Sequence, residues 1–231
     1  MIKEQLEKVN EQIAHSAIEA NRKAEDVLLI AVSKTYPVEA IEEAIAAGCN
    51  DFGENHVQEL IGKIEQVSKN VNWHLIGHLQ TNKVKYIIGK TALIHSVDSL
   101  KLAHEINKQS MKKDIITHIL LEVNVANETT KYGFKMEEMP GIVKEISKMS
   151  HIYVDGLMTV APYVENPEDN RAIFRKLFEL SVDIQKQKFD NISTSILSMG
   201  MSNDYKVAIE EGATMVRVGT AIFGNRDYNK K

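Results

Sequence analysis

Residues 28–37 read LLIAVSKTYP. Leu28 to Ser33 form an apolar run of the length expected for a strand buried on both faces. A strand of that kind belongs to a parallel sheet covered by helices, so the residues that follow it choose between the two main folds of that class. A doubly wound sheet places a glycine-rich phosphate fingerprint after its first strand. Here the sequence is SKTYP instead. Lys34 has two readings. It is the first solvated residue beyond a core strand, or its amine is held at the mouth of a site and used for chemistry.

The same pattern repeats along the chain. Strand-like runs occur at Leu28–Ser33, Asp51–Gly53, Trp73–Gly77, Leu93–Val97, Thr117–Val125, Tyr153–Met158, Ser195–Ser198 and Met215–Val218. Segments of helical period separate them. PVEAIEEAIAAG has Pro37 in its first turn and Gly48 at its end, the expected helix punctuation. SVDSLKLAHEINKQSMKK opens on a Ser/Asp cap and closes in lysines, which suits the helix dipole. NPEDNRAIFRKLFELSVDIQKQ carries an apolar stripe through Ile173, Leu177, Leu180 and Ile184. Ahead of them all, Ile2, Leu6, Val9, Ile13 and Ala17 recur at helical spacing. Eight strands alternating with helices predict an α/β fold with a closed parallel sheet, a single (β/α)8 TIM-type barrel with an added N-terminal helix. No linker or composition shift divides residues 1–231, so one domain is expected.

Composition narrows the function. The formal net charge is −4, without the basic excess of nucleic-acid binders. No stretch approaches the ~18 apolar residues that span a membrane, and the acidic opening segment, without an apolar h-region, is expected to be a surface helix and not a targeting signal. Cys49 is alone, which rules out an intrachain disulfide and favours a reducing, cytoplasmic compartment. Behind Gly48, it reads as a small buried residue.

In a (β/α)8 barrel, the site lies at the C-terminal ends of the strands. Those ends carry Lys34, then Glu54 and Asn55 in GENHVQE, then His74, His78 and Asn82 in WHLIGHLQTNK. Asn124 and Lys131 follow in NVANETTKYGF. The loop SMGMSND supplies Gly200, for close backbone approach, and Ser202, read as opening a helix whose free N–H groups attract an anion. RVGTAIFG supplies Gly219 and the Thr220 hydroxyl. The loops after strands seven and eight are where barrels commonly bind phosphate. A lysine facing a phosphate cradle suits pyridoxal 5′-phosphate (PLP), with its aldehyde at one end and its phosphate at the other. Arg217, two residues before Gly219, reaches either the pyridine nitrogen or the phosphate. The His74/His78 spacing falls on a strand and its exit and offers no metal site. His74 reads as a satisfied core histidine or a wall of the site. Glu54 reads as a general base or a helix-cap partner.

The motifs AVSKTYP, FGENHVQEL, WHLIGHLQTNK, GLMTVAP, SMGMSND and VRVGTAIFG resemble those of the PLP homeostasis proteins, the YggS/PROSC-like family. The resemblance runs from about Ala31 to Gly224. It implies a fold-type III PLP protein related to the barrel of alanine racemase, with a Schiff base on Lys34. It implies cofactor contacts from Asn55, Arg217 and the segments holding Ser198, Gly200, Ser202, Gly219 and Thr220. Alanine racemases add a C-terminal domain that supplies a catalytic tyrosine. The sequence ends seven residues after Gly224, and the expectation is that no such module follows. The implied function is a PLP carrier in intracellular vitamin B6 homeostasis, with indirect effects on amino-acid balance and with apo PLP-dependent enzymes as partners. A PLP-dependent amino-acid racemase is the alternative, and an aldolase-like use of Lys34 is a third. Lys131, Lys230 and Lys231 are candidates for a second PLP site.

Overall fold

Apolar β-branched runs pair into a sheet, and the periodic segments between them cover it. The computed structural model describes residues 1–224. The strands are β1 (Leu28–Val32), β2 (Asp51–Glu54), β3 (Asn72–Leu75), β4 (Leu93–Val97), β5 (Thr117–Glu122), β6 (Ile152–Met158), β7 (Ile192–Met201) and β8 (Met215–Val218). They close in chain order into a barrel. All neighbours are parallel, and β1 pairs β8 through Leu28↔Met215 and Ala31↔Val218. The helices are α1 (Ile2–Glu19), α2 (Val38–Ala46), α3 (Val57–Gln66), α4 (Val84–Ile87), α5 (Leu100–Lys113), α6 (Met139–Ile146), α7 (Arg171–Gln185), α8 (Tyr205–Glu210) and α9 (Thr220–Phe223).

All eight expected strands are present. The largest difference is β7, which begins three residues earlier than expected and runs through Gly200 to Met201. Ile192 pairs with Val154 and Ile196 with Gly156, and the polar residues Ser193–Ser195 fall in the register shift between these pairs. Pro37 is the residue before α2 rather than part of its first turn. Ser99 caps α5 by accepting from the Leu102 N–H. The buried face of α7 is Phe174, Leu177, Ser181 and Ile184, which keeps Leu177 and Ile184 of the expected stripe and replaces Ile173 and Leu180 by their next neighbours.

Two apolar clusters form. The larger lies between sheet and helices and includes Leu6, Val9, Ile13 and Ala17 of α1. The smaller contains Ile30, Leu93, Leu120, Met158 and Met215, one residue each from β1, β4, β5, β6 and β8. These residues pack inside the barrel, where buried polar residues accompany them. Cys49 is buried, and burial pushes its thiol up to about 11, as expected of an inert core residue. No helix among the described residues is long and apolar enough to cross a membrane.

Candidate functional site

Lys34 sits on a turn that is held from several sides. Thr35 has φ +67°, a left-handed conformation that a β-branched residue adopts only when its surroundings impose it. The restraints are visible. The Thr35 N–H donates to Glu59 Oε1 at 2.5 Å. Nζ of Lys63 in α3 donates to the Ser33 carbonyl at 2.8 Å, to Glu54 Oε1 at 2.7 Å and to Glu59 Oε1 at 2.6 Å. The Ser33 hydroxyl donates to Glu54 Oε1 at 2.6 Å. On the other side, the Tyr36 hydroxyl donates to the Gly224 carbonyl at 2.5 Å, and its ring packs on Phe223. Glu54 is therefore an anchor for Lys63, fully buried behind the barrel, and neither a base in the site nor a helix cap. Burial pushes its carboxyl upward, against the Lys63 ammonium.

Lys34, Asn55, Ser202, Arg217, Gly219 and Thr220 line one cavity of about 400 Å³, within the usual range for small-ligand sites. These are six of the eight site residues expected from sequence. Ser198 and Gly200 stand outside it. Gly200 has φ +90°, and a Cβ there would come within 2.6 Å of Ala208 Cβ and 2.8 Å of Tyr205 Cα. The close approach this glycine permits is therefore that of α8. Ser202 does not open a helix. It lies in the turn before Tyr205, with its Oγ 3.4 Å from the Gly219 N–H. The Asp204 carboxylate closes that turn by accepting from the Met201 N–H at 2.7 Å.

Arg217 is buried. Its Nη1 donates to Ser198 Oγ at 2.6 Å and its Nη2 to the Thr159 carbonyl at 2.8 Å. Both acceptors are neutral. Burial lowers its pKa to about 10, so the guanidinium remains cationic at neutral pH. A buried cation on a cavity wall, bonded only to neutral oxygens there, favours an acceptor or anion in the cavity.

A second cavity of about 580 Å³ adjoins the first and shares Asn55, Ile76 and Val160 with it. His78, Glu122 and Lys131 line it. His78 stacks on Tyr132 with ring centres 3.9 Å apart and bonds Asp98 at 3.0 Å. Lys131 Nζ lies 2.9 Å from Glu128 Oε1. Burial, with Asp98 nearby, pushes the Glu122 carboxyl up to about 7. Lys230 and Lys231 lie outside the described residues. His74 is the satisfied core histidine of the two readings, bonded to His95 and Asp51. No cluster of metal-ligating side chains occurs among the described residues. Sequence reasoning missed Gly77, where a Cβ would lie 2.5 Å from the Asn55 carbonyl oxygen. Its signal was a glycine at the end of the expected third strand, Trp73–Gly77.

The family model described as alanine racemase, N-terminal domain, matches residues 10–227. The PLP homeostasis protein of Aquifex aeolicus is 46% identical over 97% of this chain and 98% of its own length. That of Escherichia coli K12 is 35% identical over 98% and 97%. PipY of Synechococcus elongatus, solved with PLP bound, is 33% identical with a TM-score of 0.85, covering 97% of this chain and all (100%) of its own. Alanine racemase of Clostridium difficile shares the fold, with a TM-score of 0.73 at 17% identity, and this chain covers 57% of it. On these matches, and on a motif set that spans the barrel mouth, the chain belongs to the family of PLP homeostasis proteins.

Proposed function

We propose that the protein binds PLP in the Lys34 cavity, covalently and reversibly through Nζ, and serves intracellular vitamin B6 homeostasis rather than turnover. The observation that carries this reading is the sharing of one cavity by the Lys34 amine, the buried Arg217 cation and the Ser202, Gly219 and Thr220 loops. The bound cofactor of PipY supports it. The residues fit the group. Hydroxyls on the loops after β7 and β8 suit a phosphate, and a lysine lining the same cavity suits an aldehyde.

PLP supplies a reactive aldehyde and an electron-withdrawing ring. The protein's own groups do the rest. The Lys63 cluster holds the backbone on both sides of Lys34, so the amine is presented from a fixed turn. Arg217 lies in β8, below the phosphate-type loops and toward the lumen, which favours it as the partner of the ring nitrogen over the phosphate. A guanidinium there resists a second positive charge beside it. Electron withdrawal is then weak, and the site retains its cargo in preference to transforming it. The cytoplasm is the proposed location and apo PLP-dependent enzymes the proposed recipients.

The test is a visible titration with PLP. Wild-type protein is expected to develop a yellow, saturable band that Lys34→Ala abolishes while the far-ultraviolet spectrum stays intact. A folded Lys34→Ala variant with the full band contradicts the reading. The racemase alternative has one observation in its favour. Glu122, at about 7, lines the adjoining cavity and titrates where a general acid or base is effective. Racemisation of an amino acid by the PLP-loaded protein at ordinary enzyme rates of about 1–10³ per second, lost in Glu122→Gln, would establish it.

A further inference from the structure

The lumen contains a line of polar groups that the preceding account uses only at its end. Asp51 opens β2 at the N-terminal rim, and Arg217 lies near the end of β8 at the mouth. Between them stand His74 of β3, His95 of β4 and Ser198 of β7, all buried. The links are Asp51 Oδ1 to His74 Nε2 at 3.2 Å, His74 Nδ1 to His95 Nε2 at 2.9 Å, and His95 Nδ1 to Ser198 Oγ at 2.9 Å. Ser198 Oγ meets Arg217 Nη1 at 2.6 Å.

With both imidazole rings neutral, the chemistry of the ends sets the direction of every bond. The Asp51 carboxylate only accepts, so Nε2 of His74 carries a proton and donates. In the neutral ring, Nδ1 of His74 is then an acceptor, and Nε2 of His95 must donate to it. His95 is fully buried with His74 and Arg217 beside it, and burial holds it well below the ordinary imidazole range. It is therefore neutral, and its Nδ1 accepts. The Ser198 hydroxyl donates to that nitrogen and leaves its oxygen to accept from Arg217. No link is left unmatched, and the chain runs one way from the guanidinium to the carboxylate.

We infer that Asp51, His74 and His95 are positioning residues for Arg217, setting the plane of the guanidinium that faces the cavity from the far end of the barrel. Ser198 and the Thr159 carbonyl grip two of its nitrogens, and Ser198 is itself oriented only because His95 presents a lone pair. Packing alone does not call for this arrangement. Apolar side chains also pack inside the barrel, and buried polar chains are destabilising unless every member is satisfied.

The cofactor arm of the test rests on the PLP reading proposed above, and the tautomer arm does not. In the unliganded protein, ¹⁵N NMR of the histidine rings is expected to find His95 protonated on Nε2 and bare on Nδ1. Asp51→Leu removes the acceptor that sets the direction, whereas Asp51→Asn keeps an accepting oxygen. Asp51→Leu should redistribute the His95 proton, shift the absorption maximum of bound PLP and weaken its binding about tenfold, an indirect share of one charged hydrogen bond. Asp51→Asn should retain all three properties. A purely structural role would lower Tm in Asp51→Leu and leave affinity and spectrum unchanged. If Asp51→Leu does not fold, His95→Phe, which keeps the ring volume, takes its place against His95→Gln. A proton on Nδ1 of His95 in the wild type overturns the inference, as does a folded Asp51→Leu or His95→Phe variant with wild-type affinity and spectrum. If the wild type binds no PLP, the proposed function fails while the tautomer arm still decides the direction of the chain.

Discussion

The barrel lumen and the layer behind β2 each bury a polar network, and the two differ in where they keep their charge. In the lumen, one cation and one carboxylate stand at opposite ends of a line of neutral rings and a hydroxyl. Behind β2, Lys63 meets two carboxylates directly, at 2.6 and 2.7 Å. The first arrangement conveys orientation, because each donor determines the role of the next group. The second fixes position, because a buried cation between two anions cannot move without losing its compensation. Lys34 depends on the second network and Arg217 on the first. The two sides of the cavity are thus held by different physics.

The largest expected effect breaks the charged network. Lys63→Met leaves Glu54 buried without its cation, and Glu54 Oε2 already has no hydrogen-bond partner. A loss of about 3–5 kcal/mol is expected in urea denaturation. Adding Glu54→Gln should recover part of it, since the stranded charge is then removed. A loss below about 1 kcal/mol would mean that the cluster does not anchor the turn.

Glu122, where the lumen opens to the mouth, provides the next test. Burial moves its carboxyl from 4.5 to about 7. Between those values the folded protein retains a proton that the unfolded chain has released, so stability falls as pH rises through this window and is flat above it. Glu122→Gln should remove that slope and stabilise the protein above pH 7 by on the order of 3 kcal/mol. Parallel stability–pH curves for the two proteins would show that the carboxyl is not raised.

The smallest effect belongs to the neutral chain. Ser198→Ala leaves an Arg217 N–H and a His95 lone pair without partners, and should cost about 1–3 kcal/mol by thermal denaturation. A larger loss than that of Lys63→Met would reverse the contrast between the two networks.

Much of the mouth was legible because its residues follow strand ends that periodicity locates. Lys34, Asn55, Ser202, Arg217, Gly219 and Thr220 were read that way and share a cavity. The lumen chain was not. Its members lie on different strands, 103 residues apart between His95 and Ser198, and no local pattern couples them. Glu59 and Lys63 carried a visible i,i+4 pairing, but their burial depends on how α3 packs against β1 and β2. Gly200 was read as allowing close backbone approach to a ligand, and the group that its missing Cβ admits is α8. A glycine signals close approach without identifying the approaching group. The start of β7 lies ahead of polar Ser193 and Thr194, and only the tertiary pairing of Ile192 with Val154, across a register shift, brings it into the sheet.

In the proposed function, Lys34 is the lysine that holds PLP. Borohydride reduction of the PLP-loaded protein, followed by peptide mapping, tests it most directly. The expected result is one reduced phosphopyridoxyl group, on Lys34, with Lys63 and Lys131 unmodified. A group carried by Lys63 or Lys131 in place of Lys34, or no stable adduct on a protein that still binds PLP, would contradict the account.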